Sequence, residues 1–567
     1  MTDALNPLIV QSDLTVLLEV AAPKAEDART SLLRFAELEK SPEHIHTYRI
    51  TSLSLWNAAS AGVTADEVAV TLTGFSKYPV PPSVLTEVRD QIARYGRLTI
   101  VRDFDSGGLA LTTAEPYLLE EVAGIRSVAE LLGERLDGNR FAVRLGDRGA
   151  LKQALLHAGW PAADEAGYSE GATLQLELTC GLRGYQGDAV RAWWAEGSAA
   201  GGNGALVLPC GAGKTVIGLA SIVQSGAHTL IIATSISAAR QWIRELAAKT
   251  DVDSSLVGEY SGQRKDIKPI TIATYQVLTW SDPSTDPDAD LFVRHPHLAL
   301  FDREEWGLVI YDEVHLLPAP VFRATARIQA VRRLGLTATL VREDGKQGDV
   351  FSLIGPKRYD APWKELEAQG WIAPAACTEV RVEMTPEERM AYATVEANLR
   401  YRVAATAPAK MDVMADLVER HADDQLLVIG QYLDQLKEAS QLLDAPLITG
   451  QTGHATRDEL FERFREGDLR RLVVSKVANF SIDLPNANVA IQLSGTFGSR
   501  QEEAQRLGRI LRPLDEGKVA YFYTIVTRET VDQSFASKRQ RFLAEQGYSY
   551  FIVDADELDD LSGLHMG

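Results

Sequence analysis

The segment Leu206-Val207-Leu208-Pro209-Cys210-Gly211-Ala212-Gly213-Lys214-Thr215 limits what this chain can be more than any other. An apolar run enters a loop containing two glycines. The loop ends in Lys-Thr, and Val216-Ile217-Gly218-Leu219 continues as a helix start. In that order of strand, loop and helix, backbone N–H groups converge on phosphate and the positive end of the helix dipole faces it. Gly211, Ala212 and Gly213 let the backbone approach the ligand. Lys214 is placed to reach the β- and γ-phosphates, and Thr215 to ligate Mg²⁺. The strict phosphate-loop pattern has a further glycine where this chain has Leu208.

A second apolar run, Val309-Ile310-Tyr311, ends in Asp312-Glu313-Val314-His315. Adjacent carboxylates at a strand end, downstream of a phosphate loop, fall where a metal is needed. Asp312 is the carboxylate for Mg²⁺, meeting it directly or through one of its other ligands, and Glu313 is the candidate base that orients an attacking water. His315 either senses the γ-phosphate or couples to Gln505. Together these residues predict a nucleotide hydrolase that uses Mg²⁺.

At 567 residues the chain should form several domains. Its three cysteines are far apart and lack metal-ligand spacing, which points to a reducing compartment. Met1-Thr2-Asp3-Ala4 is a polar start, Leu8-Ile9-Val10 is too short for a signal-peptide core, and no apolar run spans a bilayer. A cytoplasmic location is expected. The formal net charge of −20 works against nucleic acid at long range, so any nucleic-acid site must be a local basic groove. Basic clusters do occur, at Arg323, Arg327, Arg332 and Arg333, at Arg463, Arg465, Arg470 and Arg471, and at Arg500, Arg506, Arg509 and Arg512.

Along the chain, Leu14, Val16, Leu18 and Val20 alternate as in a strand. Helices are expected from about Thr51 and over 65–76 and 83–95. Apolar runs at 97–101 and 109–112 flank Asp105-Ser106-Gly107-Gly108, which reads as a hairpin. Three helices and a hairpin make a winged-helix-like α+β module to about residue 130, with a protein-contact or packing role. Residues 131–172 read as a small mixed segment ending in a linker. Apolar strands at 205–208, 229–233, 270–273, 308–311 and 334–336 alternate with helices. A second series follows at 426–429, 446–448, 472–474, 489–493 and 519–526. The fold class is therefore α/β, with two tandem parallel-sheet domains at 173–372 and 373–567 and a hinge near 373–385. The nucleotide is expected at the carboxyl ends of the first sheet, facing the second.

The phosphate loop, Asp-Glu-Val-His, Leu336-Thr337-Ala338-Thr339 and Gln505-Arg506-Leu507-Gly508-Arg509-Ile510-Leu511-Arg512 occur in the order found in superfamily 2 helicases, which have two RecA-like domains. Four further stretches resemble the XPB (xeroderma pigmentosum group B) DNA helicases in their prokaryotic form. These are Gly335 through Arg342-Glu343-Asp344, Leu353-Ile354-Gly355-Pro356-Lys357, Ser475-Lys476 through Asp483-Leu484-Pro485, and His44-Ile45-His46-Thr47-Tyr48-Arg49-Ile50-Thr51.

The resemblance implies roles residue by residue. Gln186 reads the adenine edge with Arg183 nearby, in Leu182-Arg183-Gly184-Tyr185-Gln186, where Gly184 replaces a common proline. Asp483 lies on the nucleotide side. Arg509 and Arg512 are fingers that neutralise charge at the γ-phosphate. Thr337 and Thr339 link the nucleotide cleft to the strand-binding surface, and Arg342, Glu343 and Asp344 act in unwinding. Thr385-Pro386-Glu387-Glu388 opens a thumb-like element. DNA contacts fall on Thr234-Ser235, Thr274-Tyr275-Gln276, Ser475-Lys476 and Gly498-Ser499-Arg500, which hold phosphates without reading sequence.

The resemblance further implies 3′→5′ polarity, a role in repair, DNA as substrate and a nuclease or other repair partner. A monomer is expected. Two other readings remain open at this point: a double-stranded DNA translocase that never separates strands, and an ATP-gated scaffold that recruits partners on DNA.

Overall fold

The computed structural model describes all residues except 1–4, 41–44, 104–107, 199–200, 210, 287–288, 290, 329–330, 339–346, 362–365, 367–368, 370, 372–374, 476–486, 496–518, 538–548 and 559–567. The chain divides into two compact units. One comprises residues 1–208 and 213–361, the other 209–212 and 362–567.

The amino-terminal part of the first unit holds two separate sheets. Strands β1 (Leu8–Val10), β2 (Thr15–Glu19), β3 (Glu37–Lys40) and β4 (Ile45–Arg49) form an antiparallel sheet of order β1-β2-β4-β3. Helices Ser52–Ser60, Ala65–Phe75 and Pro82–Arg94 follow. The first two start at capping boxes, where the Thr51 and Thr64 hydroxyls accept from Ser54 N and Glu67 N. Leu55, Val68, Leu72, Val84 and Val88 of these helices share one core with Val16, Leu18 and Tyr48 of the sheet.

Strands β5 (Thr99–Arg102), β6 (Leu109–Thr112), β7 (Arg135–Asp137), β8 (Arg140–Val143) and β9 (Ala163–Asp164) make a second sheet, of order β7-β8-β6-β5-β9. The expected hairpin is present as β5 and β6. Its inward side chains, Ile100, Leu109 and Leu111, pack with Leu118, Val143, Leu151 and Leu155, in a core separate from that of the three helices. A winged helix is therefore not what forms, and the second sheet runs across the boundary expected near residue 130. The acid-rich stretch read as a linker supplies β9. Its Asp164 is buried because Arg148 (2.6 Å) and Lys152 (3.0 Å) meet the carboxylate there. Composition alone signals a solvated linker; partners 12 and 16 residues upstream reverse that.

The first parallel sheet comprises β10 (Asn203–Val207), β11 (Thr229–Ala233), β12 (Val257–Tyr260), β13 (Ile270–Thr274), β14 (Leu308–Asp312), β15 (Arg332–Thr337) and β16 (Lys357–Asp360), in the order β12-β13-β11-β14-β15-β10-β16. The second comprises β17 (Ala375–Val382), β18 (Leu426–Gly430), β19 (Leu447–Ile448), β20 (Arg471–Ser475), β21 (Val489–Gln492), β22 (Ala520–Thr527) and β23 (Ser549–Asp554), in the order β19-β20-β18-β21-β22-β17-β23. The α/β class and both parallel sheets match the expectation. Four strands of these two parallel sheets did not stand out in the sequence. Three of them, β12, β16 and β23, are sheet edges, where one face or side meets water and a continuous apolar run is not required. The fourth, β17, alternates instead of running apolar, and it lies inside the stretch expected to be a hinge.

The amino-terminal sheets are fastened to the first parallel sheet through β16 and the helix before it. Lys357 N donates to Asn57 Oδ1 at 3.0 Å, Lys357 Nζ to the Leu33 carbonyl at 3.3 Å, and Gln153 Nε2 to Asp349 Oδ1 at 3.0 Å. Among the described residues no helix is long and apolar enough to cross a membrane.

Candidate active site

Because the first sheet is parallel and in register, its strand ends share one edge. Val207 is level with Thr337, Asp312 with Leu336, and Ala233 with Thr274. Ligands of open parallel sheets bind at that carboxyl edge. The phosphate loop leaves β10 there. Gly211 and Gly213 have φ of 82° and 74°, conformations that favour glycine, and Gly213 caps the helix Lys214–Ser225. A Cβ at position 213 would lie 2.6 Å from Gln186 Nε2. The predicted adenine reader thus lies against the loop, fixed as its Oε1 accepts from Arg183 N at 3.0 Å. Arg183 Nη1 donates to Tyr185 OH at 3.2 Å. A Cβ at Gly184 would meet nothing within 4 Å, so glycine in place of the usual proline leaves this corner undisturbed.

Lys214 Nζ lies 3.1 Å from Glu313 Oε1. Glu313 is held in left-handed backbone, φ 49° and ψ 58°, rare for a residue with a side chain and typical of functional sites. Its other oxygen is buried with no hydrogen-bond partner. Burial works to raise the Glu313 pKa, but Lys214 and then His315 outweigh it, and the carboxyl is held below its usual range. Asp312 behaves oppositely. Burial, then the neighbouring Glu313 charge, pushes it up to about 6, against a hydrogen bond from Trp242. Two partly buried carboxylates side by side are hard oxygen donors of the kind Mg²⁺ takes.

His315 is buried, with Nδ1 2.6 Å from Thr337 Oγ1 and 3.5 Å from Glu313 Oε2. His315 thus joins Asp-Glu-Val-His to Thr-Ala-Thr by a direct contact just beyond the end of β14 and at the end of β15; Thr337 was not among the partners expected for it. Trp242 was not anticipated, and Tyr275 was expected only as a DNA contact. Trp242 Nε1, on the helix Ile236–Lys249, donates to Asp312 Oδ2 at 3.0 Å, and Tyr275 OH donates to the Asp312 carbonyl at 3.0 Å. Nothing in their spacing marks them, because both reach Asp312 only through the sheet topology.

Three expected DNA contacts are not presented to solvent, one of them Tyr275, 5% exposed with its hydroxyl on the Asp312 carbonyl. Thr274 is 1% exposed, and its Oγ1 accepts from Val277 N as a helix cap. Ser475, the last residue of β20, is 3% exposed. Gln276 is exposed and donates to the Thr234 carbonyl at 2.6 Å. Gln505, Arg509, Arg512, Asp483, Thr339, Arg342, Glu343, Asp344 and Arg500 lie outside the described residues.

Comparison with known proteins gives three family matches. Residues 366–566 match the ERCC3/RAD25/XPB C-terminal helicase, 179–342 the type III restriction enzyme res subunit, and 8–137 a helicase conserved C-terminal domain. Over 562 residues, 99% of this chain and 98% of the relative, the sequence is 55% identical to the DNA 3′-5′ helicase XPB of Kineococcus radiotolerans. The chain belongs to the XPB helicase family. The XPB helicase of Mycobacterium tuberculosis is also 55% identical, over 98% of this chain and 99% of that one. Family likeness extends to the general transcription and DNA repair factor IIH helicase/translocase subunit XPB of Antonospora locustae, 33% identical over 97% of this chain and 82% of the relative.

Proposed function

We infer that this XPB-family chain is an ATP-dependent DNA helicase that moves 3′→5′, and that Lys214, Asp312 and Glu313 are its hydrolytic centre. The observation that carries the reading is the Lys214–Glu313 ion pair at the mouth of a glycine loop in left-handed backbone. Lys214 neutralises β- and γ-phosphate charge. Once it turns to the phosphates, Glu313 is released to orient a water and accept its proton. His315, touching both Glu313 and Thr337, ties the state of the carboxylate to β15 and so to the segment that follows it. Gln186 and Arg183 are assigned to adenine. By resemblance, Arg509 and Arg512 are assigned to the γ-phosphate, Gln505 to catalysis as a coupling partner of His315, and Asp483 to the nucleotide.

Asp312 and Thr215 would hold Mg²⁺. When bound, the ion would offset the charge on the phosphates. Thr234, Gln276 and Arg500 are assigned to the DNA backbone, and Arg342, Glu343 and Asp344 to unwinding. A monomer in the cytoplasm, with a nuclease or repair protein as partner, completes the reading.

A second reading keeps the same motor but no strand separation. It is favoured by the Antonospora relative, whose name includes translocase. ATP hydrolysis and strand displacement on single-stranded, duplex and forked DNA, run beside triplex displacement, test both. DNA-stimulated hydrolysis with displacement of a forked strand supports the helicase. Triplex displacement alone supports the translocase, and hydrolysis indifferent to DNA overturns both.

A further inference from the structure

The carboxyl edge of the first sheet has a second station, at strands β13 and β12, four and five strands from the phosphate-loop strand β10, that the hydrolytic centre does not use. Tyr260 ends β12, and β12 pairs with β13, which leads through Thr274 into the short helix Tyr275–Thr279 and then Trp280. Trp280 is 49% exposed. Its ring lies 5.7 Å from that of His297 at 60°, and His297 lies 5.6 Å from Tyr260 at 75°. The Tyr260 hydroxyl pairs with His297 Nδ1 at 2.8 Å. Lys265 Nζ, tethered to the Ser261 carbonyl at 2.8 Å, stands 4.7 Å over the Tyr260 ring. Three rings and an ammonium therefore follow one another, ending in a half-exposed indole.

This row is rigid where it matters. Buried His295 engages the carbonyls of Thr279 (3.0 Å) and Trp280 (3.3 Å) through Nδ1, and Trp280 N donates to the Val277 carbonyl. An indole on a fixed backbone loses little freedom on binding. The charge next to it is informative. Exposed Asp282 and Asp286 follow directly and would repel a phosphodiester approaching from that side. What the surface offers is a ring face. On the other flank, exposed Arg264, Lys265 and Lys268 provide cations, and Gln276 with Thr234 lies along the same edge.

We propose that Trp280, backed by His297 and Tyr260, stacks an unpaired base of single-stranded DNA beside the backbone contacts at Thr234 and Gln276. The proposal rests on the DNA-helicase reading and adds to it a contact made through bases. Stacked bases in a duplex do not present a free face, so the site selects a separated strand. Base–aromatic contacts of this kind are sequence-tolerant, as a motor requires.

The test uses the full chain and fluorescence anisotropy of labelled oligothymidylate and of a duplex of equal length. W280A should weaken single-strand affinity by roughly 5- to 100-fold and duplex affinity far less. W280F should stay within about threefold of wild type, since it keeps a ring face. The dependence of log K on log salt should keep its slope, because no phosphate contact is lost. A wild-type complex with an abasic strand should lose what W280A loses. Unchanged single-strand affinity in W280A overturns the proposal, as does a loss shared equally by duplex or accompanied by a shallower salt slope. So does unchanged DNA binding together with loss of a protein partner, which would mark a protein-docking surface. If the wild type binds no DNA, the helicase reading itself fails. Melting temperatures check that each variant is folded.

Discussion

The residue with most at stake is Glu313. Its backbone is in a conformation that costs on the order of 1–3 kcal/mol for a residue with a side chain, and it is kept there by the sheet on one side and by His315 and Lys214 on the other. The strain turns the carboxylate towards the lysine at the phosphate loop. Exchanging the carboxylate for an amide removes the base and leaves the shape. E313Q is expected to lower DNA-stimulated ATP turnover by roughly 10²- to 10⁴-fold while nucleotide still binds. K214A should lose both turnover and nucleotide affinity, because it removes the cation that meets the phosphates. Steady-state hydrolysis beside binding of a fluorescent nucleotide separates the two variants. Wild-type turnover in either would show that the centre is elsewhere.

At the level of elements, the site depends on how closely the helix Ile236–Lys249 approaches the helix that follows the phosphate loop. Gly218 makes this approach feasible, since a Cβ there would lie 2.4 Å from Trp242 and 3.3 Å from Leu336. The close contact sets the Trp242 indole against Asp312. G218A should therefore destabilise the fold by about 1–3 kcal/mol and displace the indole. W242F keeps most of the packing and loses the donor. It should reduce turnover by about tenfold, the order expected for one hydrogen bond to a charged group, with a smaller change in melting temperature than G218A. Equal turnover in W242F and wild type would reduce Trp242 to a packing role. The same elements show which strands are legible in sequence. β11, β14 and β18, flanked by strands on both sides, are apolar throughout or nearly so. The edges β12 and β16 carry Glu259, Lys357, Arg358 and Asp360 and do not stand out.

At the level of the whole molecule, a buried charge cluster fixes β9 in the second amino-terminal sheet. Arg148, Lys152 and Asp164 are all nearly inaccessible. Burial pushes the Asp164 pKa upward, but Lys152 and Arg148 outweigh it and hold the carboxyl well below the usual carboxylate range. With the folded pKa depressed, the stabilisation is complete above the unfolded value of about 3.9 and is lost as pH falls below it. D164N leaves two buried cations without their counter-charge and should cost roughly 3–5 kcal/mol at pH 7. The difference in melting temperature between D164N and wild type should narrow as the pH drops from 5 to 3. A gap that stays constant over that range would mean the Asp164 carboxylate is not the linked group.

The sequence by itself determined the class of the fold, most of its parallel strands and the loop and carboxylates to which the nucleotide is assigned. These features are local: a glycine loop, a strand ending in paired carboxylates and apolar runs of strand length are written in consecutive positions. Tertiary structure alone decided the rest. It assigned the hairpin at β5 and β6 to a sheet with β8 and β9, buried an acidic stretch that reads as a linker, and brought Trp242 and Tyr275 to Asp312. It also took Thr274 out of solvent and gathered Tyr260, Trp280 and His297 into one row. Apart from the local cap at Thr274, the deciding interaction joins residues whose separation along the chain carries no period and no motif, so only the folded topology could bring them together.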